Sequence, residues 1–159
     1  MAVRFRVNPS GINRVLRDFN ARRRTLNDKK ALAKVAAVII LNWIDRNFTA
    51  KGKKHENSSL HWKELSDATI AMSTRNRTKQ DILQDTGRLK QAWIIHSFKT
   101  KAVVQSKVEY SGAHERGGLV QIRGRSARIP QRKILPTQKH AEKMIIPGIK
   151  RYLRQQGVI

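Results

Sequence analysis

The sequence has no cysteine, and its 159 residues include only four prolines. Without cysteine there is no disulfide framework, no thiolate nucleophile and no thiolate-ligated metal, so a disulfide-stapled secreted scaffold is excluded. Acidic residues are scarce: 11 Asp+Glu stand against 34 Lys+Arg, a formal charge of +23. Aromatic residues make up 6%, too few for a series of base-stacking platforms on nucleic acid. Long apolar runs are missing too. The longest, Val35–Leu41, ends at Asn42, and a membrane span needs roughly 20 apolar residues. Near the start, Val3, Phe5 and Val7 alternate with Arg4 and Arg6, the pattern of a short strand or an ordered arm and not of a secretory signal. The chain reads as soluble, without a membrane partner.

What is present is enough for one core. Hydrophobic residues make up 39%, and the length fits a single domain over 1–159. The charge is unevenly spread. Residues 1–54 hold 14 basic and 3 acidic side chains, residues 116–154 hold 11 and 1, and the middle is nearly balanced with 9 and 7. Such a polycation is attracted to nucleic acid, anionic lipid or an acidic protein.

Asn8-Pro9 starts a first helix, with Ile12, Val15, Leu16 and Phe19 on one face and Arg22, Arg23 and Arg24 at its end. A second is expected from near Asp28 to about Asn47, with Leu32, Val35, Ala36, Ile39, Ile40, Trp43 and Ile44 on one wide face. A stripe that broad, with Val38 and Leu41 outside it, needs cover on more than one side, from a sheet and a helix or from a neighbouring subunit. A basic loop follows near 49–61. It has no apolar side chain between Ala50 and Leu60 and is expected to be mobile. Ser66 can cap a short helix over 67–72, and Arg88 to Ala92 gives another turn or two.

The period then changes to two. Ile94, His96 and Phe98, then Val104, Ser106, Val108 and Tyr110, predict an antiparallel hairpin turning at Thr100-Lys101. Leu119, Val120 and Ile122 would add a third strand, followed by a second mobile basic loop near 123–133. A closing helix spans Thr137 to Gln155, kinked or interrupted at Pro147-Gly148. The class is α+β: N-terminal helices, a small antiparallel sheet and a C-terminal helix.

Catalytic signals are thin. His55-Glu56 with His61 and Glu64 lacks metal-ligand spacing, and these are expected to be solvated loop side chains. Glu109, His114 and Glu115 cluster after a strand, where acid–base or metal-dependent nuclease chemistry would need converging carboxylates. Ser111-Gly112-Ala113 is no nucleophile elbow, and no phosphate-binding glycine loop occurs. The expectation is a protein that is not an enzyme, with no cofactor and no metal.

Four short blocks occur in order. They are Arg46-Asn47-Phe48 with Trp62-Lys63-Glu64-Leu65-Ser66 and Thr69-Ile70; Ile82-Leu83 with Thr86-Gly87-Arg88-Leu89; Tyr110 with His114 and Gly117-Gly118; and Ile129-Pro130-Gln131-Arg132-Lys133-Ile134-Leu135. Together with the closing helix they resemble the phage virion morphogenesis (tail completion) family over about 46–155. Ser111 stands where that family often has Ala, and Lys133-Ile134 where it usually has Pro-Phe.

The resemblance implies a tail-terminator- or neck-like structural protein that completes the tail and joins it to the DNA-filled head. It would form a ring, commonly a hexamer, at the head–tail junction of the virion, after assembly in the host cytoplasm. Its partners would be its own copies, the tail tube and the head-side connector, with non-specific contact to packaged DNA. The implied motif or interface positions are Phe48, Trp62, Leu65, Thr69, Gly87, Leu89, Tyr110, His114, Gly117, Gly118, Pro130 and Arg132. Lys51, Lys53, Lys54, Arg123, Arg125 and Arg128 would face DNA or an acidic partner.

Several of these positions have physical readings of their own. Trp62 and Leu65 anchor the chain after the loop. Gly87 and Gly117-Gly118 permit tight or left-handed turns. Pro130 biases Ile129 toward an extended backbone, and Arg132 can grip a carboxylate with its planar fork. The rival is a small basic DNA-binding protein or a metal-dependent nuclease using the same surface.

Overall fold

The computed structural model describes residues 9–71, 73, 78, 82–122 and 124–159. The arm or strand expected at Val3–Val7 lies outside the described residues, as does Arg123. The helices in chain order are α1 (Pro9–Asn27), α2 (Lys29–Thr49), α3 (Asp67–Ala71), α4 (Arg88–Gln91), α5 (Ser111–Arg116) and α6 (Gln138–Gln155). The strands are β1 (Trp93–Ser97), β2 (Ala102–Ser106), β3 (Gly118–Ile122) and β4 (Arg125–Ile129). The α+β class stands.

Asp28 alone separates the first two helices. Its N–H donates to the Thr25 carbonyl at 3.3 Å, and its carboxylate accepts from the Ala31 N–H at 2.9 Å, supplying a partner that a helix start otherwise lacks. Helix α1 runs past the arginine triplet expected to end it. Among the described residues no extended packing joins it to another element. Leu16, Phe19 and Leu26, spaced to share a side, are exposed on it.

Helix α2 is the spine. It packs on α6 along one side and on β1 and β2 along another, so a sheet and a helix of the same chain share in covering its broad stripe, while Leu32, Val35, Ala36, Ile39 and Ile40 stay half-buried. Its second half carries the buried Trp43, Ile44, Asn47 and Phe48. These meet Trp62, Leu65, Ile82, Leu89, Val108 and Ile134 in the core, with the Phe48 and Trp62 rings edge-on at 5.1 Å.

Three local expectations change. First, Leu119–Ile122 does not join the first hairpin. Strand β1 pairs with β2 from Trp93 opposite Ser106 to Ser97 opposite Ala102, whereas β3 pairs with β4, Gly118 opposite Ile129, as a separate ladder. Second, much of the expected basic loop is strand β4. Charged side chains suit an edge strand when they stay in water, as the exposed Arg128 does. Third, of the kink or interruption expected at Pro147-Gly148, the interruption is absent, because α6 runs on through Pro147. There Gly148 lies so close to Ile39 of α2 that a Cβ would overlap its Cδ1, so the Pro-Gly pair marks a helix crossing and not a break. Among the described residues no helix is long and apolar enough to cross a membrane.

Candidate functional site

Between β4 and α6 the chain runs as an extended strap, residues 130–137, and the site is built on it. The Lys133 carbonyl accepts three donors: Trp62 Nε1 at 2.7 Å, His55 Nε2 at 3.0 Å and Asn47 Nδ2 at 3.2 Å. Asn47 is fully buried, and its Oδ1 accepts from the Lys54 N–H at 3.3 Å. One carbonyl thus ties α2, the 49–61 connection and Trp62 to the strap.

The expectation that His55 and His61 are solvated is corrected by this geometry. His55 is 4% exposed, and His61 Nε2 donates to the His55 carbonyl at 3.0 Å. A buried imidazole bonded to a carbonyl anchors a segment that has no apolar side chain to do so. Burial holds the His55 pKa below the ordinary value, against an upward pull from the Lys133 carbonyl. Gly52, at φ +81°, lies beneath the Trp62 indole, where any Cβ would fall inside the ring. At the edge of this region Trp43 Nε1 donates to His140 Nε2 at 3.0 Å, and Lys143 Nζ bonds Glu56 at 3.1 and 3.2 Å. The Lys143 bond holds the Glu56 pKa below the ordinary carboxylate value.

Helix α5, which the sequence did not reveal, clamps the strap from the other side. Glu115 Oε2 accepts from the N–H groups of Ile134 and Leu135 at 2.6 and 3.1 Å, and its Oε1 lies 2.8 Å from Lys133 Nζ. The Arg132 N–H donates to the His114 carbonyl at 2.7 Å. Gly117, at φ +69°, lets the backbones touch, since a Cβ there would sit 2.6 Å from the Gln131 nitrogen. Glu115, weighed above as a catalytic acid or metal ligand, therefore has both oxygens engaged in holding the strap. Among the described residues no three His, Asp or Glu side chains are placed to hold a metal.

The clamp opens onto a cleft of about 310 Å³. Leu65, Leu89 and Arg132 are its buried walls, His114 is half-buried, and Thr69, Thr86, Arg88 and Tyr110 are exposed around it. The His114 ring meets Tyr110 edge-on at 5.9 Å, and its Nδ1 is buried without a hydrogen-bond partner. Desolvation, with a smaller push from the Arg132 charge, lowers the His114 pKa. The Arg132 side chain is 7% exposed, and its Nε reaches the Lys63 carbonyl at 3.4 Å. Among the described residues no carboxylate lies within 4 Å of its guanidinium. Burial lowers its pKa as well.

Gly117, Gly118 and Pro130 line a neighbouring depression of about 380 Å³ together with Lys63, Arg116 and Arg128. Phe48 and Trp62 belong to the core and not to the cleft. Of the cations expected to face a partner, Lys53, Lys54 and Arg128 are exposed and Lys51 is half-exposed. Arg123 and the Arg125 side chain lie outside the described residues.

The cleft thus gathers Leu65 and Thr69 from the first block, Gly87 and Leu89 from the second, Tyr110 and His114 from the third, and Arg132 from the fourth. A model of the phage virion morphogenesis family matches residues 10–154. The chain belongs to the phage virion morphogenesis family. The match reaches upstream of Arg46 to take in α1 and α2. No curated protein and no solved structure matches the chain. As a phage virion morphogenesis protein, it has a structural role in building the particle and is a virion component. Its family blocks converge on the strap and the cleft beside it, although they are scattered along the sequence.

Proposed function

We propose that this protein completes the phage tail and joins it to the DNA-filled head as a ring of identical copies. Family membership supports the setting. The observation that carries the ring is a pair of matching unpartnered surfaces on one chain. Among the described residues helix α1 has no extended packing on another element, and Leu16, Phe19 and Leu26 are exposed on it. On the body, an apolar groove of about 460 Å³ runs between α2 and α6, with Val35, Val38, Ile39 and Tyr152 along it. The α1 of one copy seats in the groove of the next. Such a contact joins two different surfaces and repeats head to tail, which generates a ring when the rotation closes.

Charge decides when this happens. Arg22, Arg23 and Arg24 on α1 meet Lys34 and Arg151 beside the groove, and every copy carries a formal +23. Repulsion of that kind keeps free copies apart until salt or an acidic platform neutralises it. The exposed Lys53, Lys54 and Arg128 then face the connector or the DNA channel. The deciding experiment is electron microscopy of particles made without the protein. Separate full heads and finished tails support a joining role. Overlong tails would make it a terminator, and normal particles would refute the proposal.

A further inference from the structure

The cleft holds a buried cation that, among the described residues, meets the Lys63 carbonyl at 3.4 Å but no carboxylate. This is Arg132, which forms part of the wall at 7% exposure. His114 beside it keeps a buried Nδ1 without a hydrogen-bond partner. Asp85, which also lines the cleft, has a partner of its own. A buried cation is ordinarily paired, because its desolvation is otherwise uncompensated.

We propose that this cleft receives one carboxylate side chain presented by an acidic partner protein, with Arg132 taking it in a bidentate fork and His114 hydrogen-bonding it. Three observations select that ligand. The planar guanidinium matches the two oxygens of a carboxylate. The apolar walls Leu65 and Leu89 suit the methylene stem of a Glu or Asp, and Thr69 and Arg88 stand exposed beside them to take the partner's backbone. Depth argues against duplex DNA, whose phosphates lie along a stiff rod and do not reach a side chain this buried. A second copy is a poor source, since each carries 11 acidic against 34 basic residues. That the partner is met in virion assembly rests on the proposed function; the site itself does not.

The test is an NMR titration of the full chain, reading the His114 ring resonances. The probes are the end-blocked peptide Gly-Gly-Glu-Gly-Gly, its Gln counterpart, inorganic phosphate and a short DNA duplex. The Glu peptide should move the resonances and saturate in the millimolar range, and the Gln peptide should bind at least tenfold more weakly. Arg132→Gln should abolish the response. Since that change touches a buried residue, Arg88→Gln on the exposed side provides a second reading, with at least a threefold loss in a folded chain. No response to the Glu peptide would overturn the proposal. So would equal binding of the Gln peptide, no effect of Arg88→Gln, or stronger binding of phosphate or duplex at the same resonances. The titration uses the free chain, so it gives its answer whether or not the chain forms a ring.

Discussion

Replacing Gly52 with alanine tests the joint between the 49–61 connection and the core. Gly52 has φ +81°, and a Cβ there would fall within the Trp62 ring. The left-handed backbone alone costs an alanine about 1–2 kcal/mol. The overlap adds about 1–3 kcal/mol of overpacking, because the ring has little room to move. Trp62 is buried, bonded to the Lys133 carbonyl at 2.7 Å and edge-on to Phe48 at 5.1 Å. Gly157→Ala is the internal control. It has φ +65° with no atom within 4 Å of a Cβ, so it should lose only the backbone share. Urea unfolding of the two variants should separate them by about 1–3 kcal/mol, and Tm should differ by about 2–4 °C for each kcal/mol in a chain of this size. Equal losses would refute the reasoning, because the indole would then not be seated on Gly52.

Burial lowers the pKa of both His55 and His114, so each takes up a proton more readily in the unfolded chain than in the folded one. Stability should therefore hold above pH 6.5 and decline below it, by up to about 1.4 kcal/mol per pH unit for each histidine. Urea midpoints between pH 8 and 5 check this, and a flat profile would contradict it. Glu115→Gln should cost about 2 kcal/mol, since charge-assisted bonds to two N–H groups and to Lys133 are weakened. Metal-dependent DNA cleavage by the wild type, lost in Glu109→Ala, would instead support the nuclease rival. Phe19→Glu should leave the fold intact and suppress oligomers in sedimentation, because Phe19 is exposed on a helix with no extended packing among the described residues. Wild-type oligomers should increase with salt as repulsion is screened, whereas binding to DNA would fall steeply.

Long-period information was legible in the sequence. The apolar spacing of α2 and the alternation of β1 and β2 announced those elements, because each buries a regular face. Ser66 was readable as a helix cap, and Asp28 and Thr137 as the starts of helices; in the structure each accepts a bond from an N–H three residues on. Helix α5 was hidden because six residues are too few to show a period. Strand β4 was hidden because its arginines resemble loop residues and its ribbon buries little: Leu119 on the partner strand is 78% exposed.

The site was half legible. Family blocks named the walls of the cleft, but Asn47, His55 and Glu115 work through one or two hydrogen bonds each to a strap elsewhere in the sequence. Nothing in local spacing encodes a partner some 80 residues away, as with His55 and Lys133. Of the kink or interruption expected at Pro147, the interruption does not occur. The proline rule concerns a helix interior alone, and the contact of Gly148 with Ile39 is tertiary.

A reconstruction of the mature particle at its head–tail junction addresses the ring most directly. It should show several copies of this chain closed around the DNA path, each with Phe19 against Val38 and Ile39 of its neighbour. Particles that contain no copies of the chain, or copies whose α1 touches no neighbour, would contradict the account.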